Sequence, residues 1–123
     1  MIEESYVSFN TAKMLKEAGF DVPCTSQYTE GKSIWNVGYP DNFNQYEFGY
    51  SRPTQALAER WLREVYNVAI YSLYDDDMEQ WFYVVDAFTK NPVINGSQSG
   101  SEYDDYESAF EDGLREAIKL IKK

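Results

Sequence analysis

The sequence predicts an α+β domain, three helices packed on antiparallel strands, and three observations carry that expectation. Leu57, Trp61 and Val65 recur every four residues after Pro53, and Tyr106, Phe110, Leu114, Ala117, Ile118 and Ile121 repeat at helical spacing near the C-terminus. Val68–Tyr74 and Gln80–Phe88 are instead rich in β-branched and aromatic residues, and Asp75-Asp76-Asp77 separates them as a hairpin turn would. With 123 residues, 43% of them hydrophobic, the chain is long enough to bury a core without disulfide or metal, so residues 1–123 are expected to form a single domain.

The expected order is α-β-β-α-β-β-(β)-α. A first helix runs from about Phe9 to Ala18, with Ser8 as its cap, Phe9, Ala12, Leu15 and Ala18 on one side and Lys13, Lys16 and Glu17 toward water. Gly19 ends it, and Pro23 carries the chain into extended backbone. Ser26–Thr29 and Ser33–Val37 flank Glu30-Gly31-Lys32 as a hairpin, with Gly31 expected at the positive φ of the turn. Tyr39–Arg52 reads as a long loop, functional or holding irregular strand pieces, with Tyr39, Phe43, Tyr46, Phe48 and Tyr50 expected to pin it to the body of the domain and one or two of these rings left outside.

Pro53 opens the central helix, which extends to about Tyr66 with Ala58 and Leu62 widening its apolar stripe. Glu59 with Arg63 and Arg60 with Glu64 are spaced to pair on its outer face. In the second hairpin, alternation places Trp81, Tyr83, Val85 and Ala87 on one side and Phe82, Val84, Asp86 and Phe88 on the other. A short third strand is expected over Pro92-Val93-Ile94, then a mobile polar run, Ser97–Ser101. The final helix starts at Asp105 or Tyr106 and ends near Ile121, with Asp104 and Glu107 at capping-box spacing.

Several chemistries are excluded or left without a motif. The chain has no histidine, which removes Ser-His and Cys-His nucleophilic sites and His-ligated zinc. Cys24 is single, so it forms no internal disulfide, and it reads as a structural thiol. Asp75-Asp76-Asp77 lacks the glycine and terminal glutamate of a calcium loop, and no phosphate-binding glycine loop, GxSxG or CxxC is present. The expectation is therefore no catalytic residue, no cofactor and no metal site. Met1–Ser5 is acidic and lacks the basic start of a secretory leader, so a reducing cytoplasm is the expected location.

Charge is the sharpest compositional signal. The formal net charge is −10, and the stretch from Asp75 to Asp112 holds eleven acidic residues against Lys90 alone, so the remainder is neutral overall. Such a surface repels phosphate backbones, and direct nucleic-acid binding is not expected. Solubility accounts for the charge without any specific use. A candidate acidic surface is nevertheless defined by Asp75, Asp76, Asp77, Asp104, Asp105, Glu107, Glu111 and Asp112. A candidate contact surface is defined by Tyr39, Phe43, Tyr46, Phe48 and Tyr50, rings set among small polar residues as in adaptable binding loops.

The stretch Pro53-Thr54-Gln55-Ala56-Leu57-Ala58-Glu59-Arg60-Trp61-Leu62-Arg63-Glu64, with Glu4–Phe9, Lys16–Phe20 and Tyr103–Ala117, resembles a group of small uncharacterised proteins encoded by gut anaerobic bacteria and their phages and prophages. The resemblance spans nearly the whole chain and implies an accessory protein of a phage or mobile element. It implies the cytoplasm of a bacterial host cell as the location, and it carries over no site residue. Three functions follow for testing: a non-enzymatic protein acting through protein–protein contacts, an acidic mimic of nucleic acid that inhibits a DNA- or RNA-binding protein, and a carboxylate-dependent hydrolase. Partner and oligomeric state are not specified by any motif, and no membrane partner is expected.

Overall fold

The computed structural model describes residues 2–88 and 96–122. The α+β class is observed, with three helices and two separate three-stranded antiparallel sheets where one sheet was expected. The chain divides into two compact units, Met1–Ala58 and Glu59–Lys123.

In the first unit, α1 (Phe9–Glu17) starts at Ser8, whose Oγ accepts from the Thr11 amide at 3.3 Å. It ends at Ala18 and Gly19, where φ is +96° and the Phe20 amide returns to the Leu15 carbonyl at 3.0 Å. Thr11, Ala12 and Leu15 are its buried residues. The sheet has the order β2-β1-β3, with β1 (Cys24–Thr29), β2 (Ile34–Asp41) and β3 (Gly49–Ser51). Cys24, Ser26 and Tyr28 make the buried side of β1. Phe9 of α1 packs edge-on against Tyr28 at 5.7 Å and Tyr50 at 5.1 Å, so α1 covers that side. The Tyr28 hydroxyl donates to the Val7 carbonyl at 2.6 Å, and the Gln55 amide donates to the Ser5 carbonyl at 2.8 Å, which ties down the N-terminal segment.

One local expectation is corrected here and another is made specific. In the β1–β2 turn it is Lys32, not Gly31, that adopts positive φ, at 69°. The Thr29 Oγ1 accepts from the Ser33 amide at 3.2 Å and so supports that geometry with a side chain. The segment read as one long loop holds strand β3 and the end of β2, separated by a 3-10 turn at Phe43–Gln45. Three residues of strand were too short for periodicity to reveal; pairing of Tyr28 with Tyr50 defines them.

The second unit contains β4 (Val68–Asp75), β5 (Gln80–Ala87), β6 (Ser97–Gln98) and α3 (Tyr106–Ile121), with sheet order β4-β5-β6. The β4–β5 hairpin is in unbroken register from Val68↔Ala87 to Asp75↔Gln80. One side carries Val68, Ile70, Ser72 and Tyr74 with Ala87, Val85, Tyr83 and Trp81, as alternation predicted. This side meets α3: an added Cβ on Gly113 would lie 2.8 Å from Ile70 Cγ2 and 3.1 Å from Tyr83 Cβ. The buried side of α3 is Ala109, Phe110, Gly113, Leu114, Ala117 and Ile118. Tyr106, expected in the core, is more than two-fifths exposed, but stacks on Phe110 and meets Trp81 edge-on at 5.6 Å. The cap of α3 is Asp105, whose carboxylate accepts from the Ser108 amide at 2.7 Å, in place of Asp104.

The predicted strand at Pro92-Val93-Ile94 lies outside the described residues. Ser97–Ser101, expected to be mobile, is instead stitched to the sheet. Ser97 and Gln98 pair with Val85 and Val84, the Ser99 Oγ accepts from the Tyr83 amide at 2.9 Å, and the Ser101 hydroxyl donates to Asp75 at 2.7 Å. Serine hydroxyls supply hydrogen bonds that a composition-based reading treats only as polarity.

The central helix, α2 (Gln55–Tyr66), buries Gln55, Ala58, Trp61 and Leu62 but leaves Val65 exposed. Its ion pairs Arg63–Glu59 and Arg60–Glu64 both form at 3.2 Å. Glu59 does not stand on an outer face, however, for its side chain is only 14% exposed. Within the second unit Trp61 meets Tyr66 edge-on at 5.4 Å.

Two substitution pairs test this packing. Trp61→Ala is expected to cost roughly 3–5 kcal/mol in urea unfolding, and Val65→Ala no more than about 0.5 kcal/mol. Gly113→Ala is expected to destabilise by about 1–3 kcal/mol despite the better helix propensity of alanine, because its methyl has nowhere to go between Ile70 and Tyr83. Equal melting temperatures for Gly113→Ala and wild type would mean that α3 does not sit on that side of the hairpin.

Candidate contact groove

The outward side of the first sheet carries Gln27 and Thr29 of β1. Register puts Gln27 opposite Trp35 of β2, and the 42–48 segment comes down along the other edge. Between them lies a groove of about 540 Å³ lined by Trp35, Tyr46 and Phe48, with Gln27 and Thr29, Glu30, Gly31, Glu47 and Gly49 completing it. Trp35, Phe48 and Tyr46 are 60%, 59% and 50% exposed.

Phe43 and Tyr50 pin this segment as expected, and polar bonds fasten the stretch between them. The Lys16 Nζ donates to the carbonyls of Tyr46 at 2.7 Å, Glu47 at 3.1 Å and Gly49 at 2.7 Å, and lies 4.7 Å from the Tyr50 ring centroid. An ammonium has three donors, and here each has a carbonyl. Lys16, expected to point into water, thus reaches across from α1 to grip the loop. Asn44 adds a second tie: its Oδ1 accepts from the Ser51 amide at 2.9 Å while its Nδ2 donates to the Phe20 carbonyl at 2.9 Å. Asp41 accepts from the Asn42 amide, the Gln45 amide group and the Tyr46 hydroxyl, the last at 2.9 Å. That bond and the adjacent negative charge keep the Tyr46 phenol above its ordinary pKa. Gly49 is required for this closeness: a Cβ there would stand 2.8 Å from Gln27 Oε1 and 2.9 Å from the Phe43 carbonyl oxygen.

The five rings of the expected contact surface therefore separate. Tyr46 and Phe48 enter the groove. Tyr39 is exposed on β2 but does not line it. Phe43 is buried, with its amide bonded to the Ser51 hydroxyl at 3.1 Å, and cannot serve as a contact. Tyr50 turns to Phe9 and Lys16 on the other side of the sheet. Trp35 was missed because it was counted only as a strand former. Its pairing with Gln27, on the side opposite the buried Ser26 and Tyr28, is the feature that marks it as outward.

The acidic residues also divide. Asp75 accepts from the amides of Asp77 and Met78 and from Ser101, and these bonds hold its carboxyl below the ordinary carboxylate value. Asp105 is lowered likewise by its bonds from Ser108. Asp112 accepts from the Tyr103 hydroxyl at 2.7 Å and is bonded by Arg115, which also lies 4.0 Å from Glu111. Asp76, Asp77, Asp104 and Glu107 are exposed. The Ser101–Asp75 bond and the Ser72 hydroxyl bonded to the Tyr106 carbonyl at 2.9 Å bring the hairpin turn beside the start of α3, so these charges crowd one end of the second unit.

Cys24 is buried, and its thiol is pushed up to about 11 by burial, which leaves it protonated and unreactive at neutral pH. Among the described residues no group of three or more acidic, cysteine or histidine side chains is placed to hold a metal, and no helix is long and apolar enough to cross a membrane. Set against models of protein families, curated proteins and solved structures, the chain matches none of them.

Replacing Lys16 by Met is expected to cost about 1–2 kcal/mol. It should also accelerate amide exchange through Tyr46–Gly49 while leaving β4 and β5 protected; unchanged exchange there would show that the loop is held by something else. Because the Asp75 carboxyl is lowered in the folded state, its contribution is present above the unfolded value near ~3.9 and is lost as pH falls through the folded value. The melting temperatures of wild type and Asp75→Ala should accordingly differ by a constant amount from neutral pH to about 5 and converge below about 4. A gap that persists in strong acid would assign the effect to lost packing.

Proposed function

We propose that this chain is a non-enzymatic, cytoplasmic accessory protein of a phage or mobile element, working through protein contacts at the Trp35–Tyr46–Phe48 groove. The observation that carries the proposal is three large rings held half or more in water, Trp35 on strand β2 and Tyr46 and Phe48 on a loop whose backbone is already fastened by Lys16 and Asn44. Aromatic anchors of this kind supply most of the energy of protein interfaces, and an ordered loop loses little further entropy when it docks.

The acidic-mimic reading keeps one supporting observation, the exposed Asp76, Asp77, Asp104 and Glu107 at one end of the second unit. Affinity capture with three baits separates the two. A partner held by wild type and by Asp76→Asn/Asp77→Asn/Asp104→Asn, but lost from Trp35→Ala/Phe48→Ala, is the expected result, with affinity down at least about tenfold. A partner lost from the acidic variant, displaced by duplex DNA and indifferent to the groove variant would replace the proposal by the mimic.

A further inference from the structure

We infer that the groove selects an arginine side chain on a basic segment of its protein partner, an inference that rests on the contact reading above and specifies its ligand. The charged residues lining the groove are Glu30 and Glu47, both acidic, and no lysine or arginine lines it. Lys16 and Lys32 do not line the groove, and both are already engaged. Lys16 is bonded to the Tyr46, Glu47 and Gly49 carbonyls, and Lys32 lies over the Phe9 ring at 5.5 Å. What the groove offers an incoming group is therefore the π faces of Trp35, Tyr46 and Phe48 together with two carboxylates.

Those two features together describe a receptor for a flat cation. An anion meets Glu30 and Glu47 with no cation among the lining residues to receive it, and a purely apolar side chain would cover those carboxylates without compensating them. A cation over an aromatic face is attracted by the ring quadrupole, most strongly by tryptophan. Tyr46 is further prepared, because donating its hydroxyl proton to Asp41 at 2.9 Å pushes electron density back into the ring. Between the two common cations, guanidinium fits better. It is planar, weakly hydrated, stacks on rings and forks onto carboxylates, whereas an ammonium keeps its water more tightly in an open groove. The floor adds the Gln27 carboxamide and Thr29 hydroxyl oxygen as neutral acceptors for the remaining N–H donors.

The test uses the full chain and three short acetylated Gly/Ser peptides of equal length, carrying two arginines, two lysines or two citrullines. Citrulline keeps the shape of arginine and removes its charge. Titration followed by amide and indole NMR should give saturable shifts at Trp35, Phe48 and Glu47 with the arginine peptide, weaker binding with lysine, and at least about tenfold weaker binding with citrulline. Trp35→Ala should reduce arginine-peptide affinity at least about tenfold, and Glu30→Gln/Glu47→Gln should reduce it and flatten its salt dependence. All these side chains are exposed or at the rim, and unchanged melting temperatures will show that the variants fold. Citrulline binding as tightly as arginine overturns the inference. So does an arginine peptide whose shifts fall at Asp76, Asp77 and Asp104 and survive Trp35→Ala, since that is bulk acidity. If either occurs while captured partner still depends on Trp35 and Phe48, the contact groove stands and only its arginine ligand is wrong.

Discussion

Lys16 is the side chain on which the outward half of the first unit depends. A single ammonium collects the carbonyls of Tyr46, Glu47 and Gly49, and those are the residues that place Phe48 and Tyr46 beside the sheet. Without such a donor the loop's carbonyls would turn to water and the two exposed rings would have no reason to stay apart from the core. The bond geometry also explains β3. Holding Gly49 against α1's reach leaves Tyr50 and Ser51 in position to pair with Tyr28 and Gln27. One lysine therefore connects a helix, an irregular loop and a strand of three residues.

Hydrophobic burial organises the second unit in a more regular way. Gly113 lets α3 descend onto Ile70 and Tyr83, and a run of rings from Tyr74 through Trp81 and Tyr106 to Phe110 continues that contact to the turn end of the hairpin. The acidic residues there are not a uniform solvated face. Asp75 closes a turn, Asp105 caps a helix, and Asp112 receives the Tyr103 hydroxyl and Arg115. Each spends its charge on a local donor, which is how a strongly negative segment keeps a compact fold.

These two organising principles separate the possible surfaces. In the second unit exposed carboxylates crowd one end, a soft and salt-sensitive feature. In the first unit rings and two glutamates share an open groove on a fastened scaffold. A surface of the latter kind discriminates among ligands by shape and charge together, which diffuse acidity cannot do.

The regular elements were legible in the sequence because each is imposed by local chemistry. Ser8 and Gly19 bracket α1, the register of β4 and β5 follows from alternation about three aspartates, and the α3 stripe is strictly helical. Two of the five rings in the groove's expected set were also legible, Tyr46 and Phe48, from aromatic residues placed among small polar ones. Trp35 and the inward fates of Phe43 and Tyr50 were not, since the side a ring occupies depends on which strand pairs beside it. The exposure of Val65 and the covering of Glu59 are likewise invisible to a helical wheel, which knows the stripe but not the body it meets. By itself the sequence determined the class, the helices, the second hairpin and where negative charge accumulates, all set by neighbours within a few positions. Only tertiary structure decided that Lys16 would turn from solvent to three carbonyls some thirty residues away, and so created the groove, because contacts at that separation leave no periodic trace in the chain.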